Sequence, residues 1–291
     1  MSIPSLSVRL RLGLGLACLL SHPVTAKVLK DVPYGPDKRQ RMDVYVPDAP
    51  IKADGKAPVI FMVHGGYWSR GDKNGEGIVR RKVARWLPQS WVFVSTNYRL
   101  SPQADPMVQA QDVARALAYA QANAAAWGAD ATKFVVMGHS AGAHLVSLLA
   151  VKPAMAFDLG AKPWLGTVSL DSAAFDVVGI LRAKNHPPFF DEVFGADPAS
   201  WEAASPLRQL SAQSTPILAV CSTQRRDQPC MQAEAFAAKA KSMQIRVEVL
   251  QQDLSHSKVN NRLGLPGVLT DTVEAFITSL DGSLTFTPQR Q

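Results

Sequence analysis

One pentapeptide constrains this chain more than any other stretch. Gly138-His139-Ser140-Ala141-Gly142 stands between a short apolar run at 134–137 and an alanine- and leucine-rich stretch at 141–150. The run has the length and β-branched content of a buried strand and is too short for a helix. The stretch after it has a helix-forming composition with no proline. A strand that turns into a helix across five residues must bend sharply and push one side chain out beyond the end of the sheet. The bend is tolerated only where the residues two before and two after the serine lack bulk, and both are Gly. Ser140 is then expected at the start of a helix, where free N–H groups and the helix dipole favour developing negative charge.

The same alternation repeats along the chain. Apolar strand-like runs at 58–63, 91–97, 165–170, 217–221 and 246–250 are separated by helical stretches at 78–87, 107–127, 231–243 and 268–280, and residues 42–46 alternate as a half-buried strand does. The order predicts an α/β fold, a mostly parallel central sheet with helices on both faces. The segment 171–214 breaks the rhythm, with Pro187, Pro188, Pro198, Pro206 and a cluster of aromatics. It is too long for a plain connection and reads as a small lid insertion. Without internal repeats or a low-complexity linker, residues 27–291 read as a single domain.

The first 26 residues read as a secretory signal: Arg9 and Arg11, an apolar core at 12–20, then Val24-Thr25-Ala26 as small residues for cleavage. The apolar core is well short of the ~20 residues a spanning helix needs, so no stable membrane insertion is expected. Export to the periplasm or the medium follows, and Cys18 leaves with the signal rather than marking lipidation. Removing Arg9 and Arg11 from the 31 Lys and Arg leaves 29 against 24 Asp and Glu, a scattered surplus. Two short basic clusters, 80–82 and 225–226, read as solvated faces and not as a nucleic-acid footprint. Cys221 and Cys230 remain, an even number in an oxidising compartment, and form a candidate disulfide worth about 2–3 kcal/mol by chain entropy. No cluster has metal-ligand spacing, and no cofactor is implied.

A serine hydroxyl needs a base within hydrogen-bond reach, and the base needs a partner that fixes its tautomer. His144 lies on the helix after the turn and His186 in the insertion, which leaves His256, just past the last strand, as the base. Asp227, in the loop after strand 217–221, is the expected acid, with Asp171 and Asp176 as runners-up and Asp253 as a loop residue beside the histidine. The oxyanion would be met by the N–H groups of Ala141, Gly66 and Tyr67, the last two in the glycine-rich loop after strand 58–63. His64 is expected to brace that loop. Tyr67, Trp68, Phe189, Phe190 and Trp201 are candidates for an acyl or aryl pocket.

Taken together, His64-Gly65-Gly66-Tyr67-Trp68, Asn97-Tyr98-Arg99-Leu100-Ser101-Pro102, Gly138-His139-Ser140-Ala141-Gly142-Ala143-His144-Leu145, Ala204-Ser205-Pro206-Leu207 and the late His256 resemble the α/β-hydrolase fold, in particular its carboxylesterase and kynurenine-formamidase-like branch. The resemblance runs across nearly all the chain after the signal. It implies a serine hydrolase acting on a small-molecule ester, or on a formyl-amide, through an acyl-enzyme. Export argues for the ester. A peptidase of this fold would bring an accessory domain for which there is no room, and a silent binding module would be expected to lack the serine or the histidine. The loop 223–227 lacks the glycine such acid loops often carry. Oligomeric state leaves no mark in the sequence.

Overall fold

The computed structural model describes residues 26–48 and 56–288. The signal segment, apart from Ala26, lies outside the described residues. Among the described residues eight strands form one sheet: β1 Ala26–Pro33, β2 Arg41–Pro47, β3 Ala57–Val63, β4 Val92–Thr96, β5 Ala129–His139, β6 Gly166–Leu170, β7 Ile217–Ser222 and β8 Val247–Gln252. Their order across the sheet is β1-β2-β4-β3-β5-β6-β7-β8. β1 and β2 pair antiparallel, β2 runs antiparallel to β4, and β3 to β8 are mutually parallel.

Burial explains why the parallel strands read as unbroken apolar runs. On β3, Val59, Phe61 and Val63 join the core on one face, with Ala110, Val113 and Leu117 of helix Pro106–Asn123 and Leu145 and Leu148 of helix Ala141–Val151. Ile60 and Met62 point the other way, into a second core with Ile78 and Trp86 of helix Glu76–Trp86 and Val273 and Phe276 of helix Val268–Leu280. Both faces of β3 are covered, and all seven of its residues are apolar.

Two elements depart from the sequence reading. β1 was not anticipated: it is an edge strand exposed along most of its length, so it carries no apolar alternation to detect. The sequence reading also offers no helix just past the last strand, where His256 opens one, His256–Arg262. Between β6 and β7 the expected insertion folds as four short helices, Val177–Arg182, Phe189–Phe194, Pro198–Ala203 and Pro206–Gln209. Cys221, on β7, and Cys230 are paired, with Cα atoms 5.1 Å apart.

The chain steps from β3 outward to β4 and then back past β3 to β5, so the order reverses between β3 and β5. In open α/β sheets the crevice beyond the strand ends at such a point is where ligands sit. His64 follows β3, Ser140 follows β5 and Asp171 follows β6, all at that edge.

Candidate active site

Ser140 occupies the turn between β5 and its helix with φ 57° and ψ −119°, a conformation that L-residues rarely adopt. The surrounding glycines permit it by close approach. A Cβ on Gly142 would stand 2.4 Å from the carbonyl oxygens of Val63 and His64, and one on Gly138 would stand 2.3 Å from Gly142 O. Gly65, on the opposite loop, is held to the same standard: its Cβ would fall 2.7 Å from His139 O and 2.8 Å from Ser140 Cβ. Two loops thus meet backbone to backbone around the serine.

His256 Nε2 lies 2.9 Å from Ser140 Oγ, and His256 Nδ1 lies 2.6 Å from Asp171 Oδ2. The carboxylate draws the imidazole proton to Nδ1, which leaves the Nε2 lone pair facing the serine hydroxyl. Asp171 is wholly buried at the end of β6, and its other oxygen, Oδ1, accepts from Ser222 N–H at 2.8 Å. Burial alone would raise its pKa. The His256 hydrogen bond, the Arg225 charge and the Ser222 N–H outweigh burial and hold the carboxyl below its usual range.

This corrects the expectation placed on Asp227. Its carboxylate does not reach His256 but grips Arg225, with Nε to Oδ1 at 2.9 Å and a second contact from Nη2 to Oδ2. Arg225 in turn donates to Asp171 O at 2.9 Å and lies 3.2 Å from Asp171 Oδ2. Arg225 stands between the two acids and occupies the space through which Asp227 would have to approach. Asp176 pairs with Arg208 at 2.8 Å, and Asp253 accepts from Gln224 at 2.9 Å. Asp171 could have been ranked higher on one signal: it is the residue immediately after a buried strand, at the sheet edge where the serine also lies.

The loop after β3 is braced from three sides. The His64 ring stacks on Tyr98 at 4.5 Å, and Tyr98 Oη donates to His64 O at 3.0 Å. Burial lowers the His64 pKa to about 4, so the ring is neutral at working pH. Arg99 forks onto Asp112 with bonds of 2.8 and 2.7 Å, and the side chain of Asn97 bonds Asp72 and Lys73 N. Trp68 Nε1–H donates to His144 Nδ1 at 3.1 Å, and His144 Nε2–H donates to Ala204 O at 2.7 Å. The sequence reading did not foresee that bridge, because it joins residues on three separate segments. Tyr67 and Trp68 both have positive φ, 53° and 57°. Ala141 N–H belongs to the first turn of its helix, where no helical acceptor exists.

A cavity of about 750 Å³ opens onto Ser140 and His256. Tyr67, Phe189, Phe190 and Met231 form apolar wall, while Arg226 and Gln232 add polar groups. Trp201, expected in this wall, lies away from the cavity and donates from Nε1 to Gly195 O. Among the described residues no cluster of His, Cys, Asp and Glu has the arrangement of a metal site, and no helix is long and apolar enough to cross a membrane.

Strand order, a strained serine at the reversal point and a histidine–carboxylate pair facing it define an α/β-hydrolase fold with a Ser–His–Asp constellation. Within that class, residues 42–240 match the BD-FAE family, and the chain belongs to it. Esterase LipQ of Mycobacterium tuberculosis is 30% identical over 234 residues, covering 75% of this chain and 53% of that protein. The kynurenine formamidase of Danio rerio is 25% identical over 162 residues, 56% of this chain and 51% of that protein. The chain thus spans about half the length of these curated relatives. A solved structure described as a truncated form of carbohydrate esterase from gut microbiota superposes with a TM-score of 0.73 at 16% identity, covering 87% of this chain and 96% of that one.

Proposed function

We propose that the protein is a serine hydrolase that cleaves small carboxylic esters through an acyl-enzyme. The observation that carries this reading is the hydrogen-bond chain from Ser140 through His256 to the buried Asp171, at 2.9 and 2.6 Å. In the first step Ser140 Oγ attacks the ester carbonyl while His256 Nε2 takes the hydroxyl proton. Asp171 holds the tautomer and stabilises the imidazolium that forms. The carbonyl oxygen becomes an oxyanion, met by the N–H of Ala141 and those of Gly66 and Tyr67. His256 then returns its proton to the leaving alkoxide. In the second half-reaction His256 activates a water, which releases the acid and restores the serine.

The apolar wall of Phe189, Phe190 and Tyr67 supports an acyl or alkoxy group of modest size. Esterase relatives support the ester over the aryl formamide. The pairing of Cys221 with Cys230 and the leader-like first 26 residues support an exported protein whose disulfide is formed in an oxidising compartment. A fluorophosphonate probe should label the protein at Ser140, and Ser140→Ala should abolish both labelling and turnover. A panel of esters of graded acyl length with one aryl formamide then assigns the substrate class. Faster hydrolysis of the formamide than of every ester would overturn the ester reading.

A further inference from the structure

A lysine lies on the inner face of helix Glu76–Trp86, with Ile78 and Trp86 as its buried companions. Lys82 is 1% exposed. Its ammonium has no carboxylate partner among the described residues. Instead Nζ donates to three oxygens: Asn260 Oδ1 at 2.7 Å, Asn260 O at 2.9 Å and Gly77 O at 3.1 Å. Three protons meet three acceptors, so the hydrogen bonding is complete, yet the charge is buried without a counter-charge. Such a group is costly to keep. Burial and the nearby Arg81 charge accordingly push its pKa down to about 7. A leucine or methionine would fill the same space without that cost, which makes what the ammonium holds the informative question.

It holds the far end of the helix that begins with His256. That helix, His256–Arg262, is seven residues long and too short to be stable by itself. Its last carbonyls have no helical donors. Asn260 O is taken by Lys82, and Asn261 O by Arg81 Nη1 at 2.7 Å, two cations at the negative end of the dipole. The two segments touch with no slack: a Cβ on Gly77 would stand 2.1 Å from Asn261 Oδ1, and one on Gly264 would stand 2.4 Å from Arg81 O. At the near end His139 Nε2 lies 3.1 Å from His256 O.

We infer that Lys82 is a positioning residue for the His256 imidazole, anchoring through the Asn260 oxygens the short helix on which that imidazole rides. The inference rests on reading His256 as the base for Ser140. A base displaced by about 1 Å loses on the order of a hundredfold in rate. Apart from the buried Val259, this short helix is held against such a shift mainly by the contacts at its two ends.

The test is Lys82→Met, assayed on a p-nitrophenyl ester with active sites counted by phosphonate titration. Expected is a loss of roughly 10–100-fold in kcat per titrated site, with KM changed by less than about twofold because His256 alone among this helix's residues lines the cavity. Acylation and deacylation rates should fall together, since His256 serves both, while the melting temperature holds or rises as a buried charge is removed. Wild-type kcat per titrated site, with or without a drop in melting temperature, would overturn the inference and leave a packing role. Should Lys82→Met fail to fold, Asn260→Ala removes one of the three acceptors and is expected to lose roughly 3–10-fold in kcat per titrated site; an unchanged value there overturns the inference equally. Failure of the underlying reading looks different: wild-type protein would show neither ester turnover nor labelling that depends on Ser140.

Discussion

The guanidinium of Arg225 lies 3.2 Å from the carboxylate of Asp171 and also holds the carboxylate of Asp227. One cation therefore serves two acids of unequal standing. Asp171 is fully buried and bonded to His256, while Asp227 is half exposed and bonded to Arg225. Asp171 fixes the imidazole, and Asp227 offsets a positive charge that would otherwise oppose imidazolium formation.

Two isosteric variants separate these roles. Asp171→Asn should lower kcat by about 10³–10⁴-fold, since an amide cannot hold the Nδ1–H tautomer as a carboxylate does. Asp227→Asn should cost at most about fivefold, the scale of a partly exposed ion pair. Steady-state kinetics on one ester decides between them, and a collapse of activity in Asp227→Asn with Asp171→Asn nearly intact would reverse the assignment.

The loop after β3 depends on Trp68 and His144. Trp68→Phe keeps an aromatic ring but removes the donor that His144 Nδ1 has among the described residues, leaving a buried acceptor unpaired. A stability loss of about 1–3 kcal/mol is expected. Because Tyr67 is adjacent, kcat should fall as well. Denaturant unfolding and ester turnover on the same preparation check both outcomes.

Gly65 tolerates no side chain. Gly65→Ala places a methyl against His139 O and Ser140 Cβ, at 2.7 and 2.8 Å, where the nearer neighbour is backbone. The strand-end loop must shift at a cost of about 1–3 kcal/mol. Phosphonate labelling should slow markedly in a variant that still melts cooperatively.

Acid should destabilise the protein well above the usual carboxylate range. His64, His139 and His144 are buried, and burial lowers their pKa values to about 4, 3 and 4, with the His256 charge adding to the effect on His139. Unfolded, each ring takes a proton near pH 6.5, so the unfolded state binds more protons below that pH and stability falls as pH drops from about 6.5 towards 4. Each ring contributes up to roughly 3 kcal/mol to the loss by about pH 4. Asp171, held below its ordinary range, adds to the same trend at still lower pH. Melting temperature should decline steadily between about pH 7 and pH 5; a flat profile there contradicts the neutral buried rings.

Thiol counting checks the cysteine pair. Denatured, unreduced protein lacking residues 1–26 should show no free thiol, and reduction should release those of Cys221 and Cys230.

Much of this protein was written in short range. The glycines around Ser140, the largely apolar runs of the covered strands, and the insertion crowded with proline are consequences of local geometry and burial, and each can be read a few residues at a time. The serine and the late histidine follow from the same reading, since only a few histidines come after the serine and position along the chain separates them. What the sequence could not decide was which carboxylate stands beside His256. Asp171 and Asp227 both follow strands that end at the same edge, and the choice turns on Arg225, which takes up Asp227 and leaves Asp171 facing the imidazole. The bridge from Trp68 through His144 to Ala204 and the grip of Lys82 on Asn260 were hidden for the same reason. They join residues far apart in the chain, and their hydrogen bonds exist only once the sheet has brought the strand ends together, so no pattern within any one segment records them.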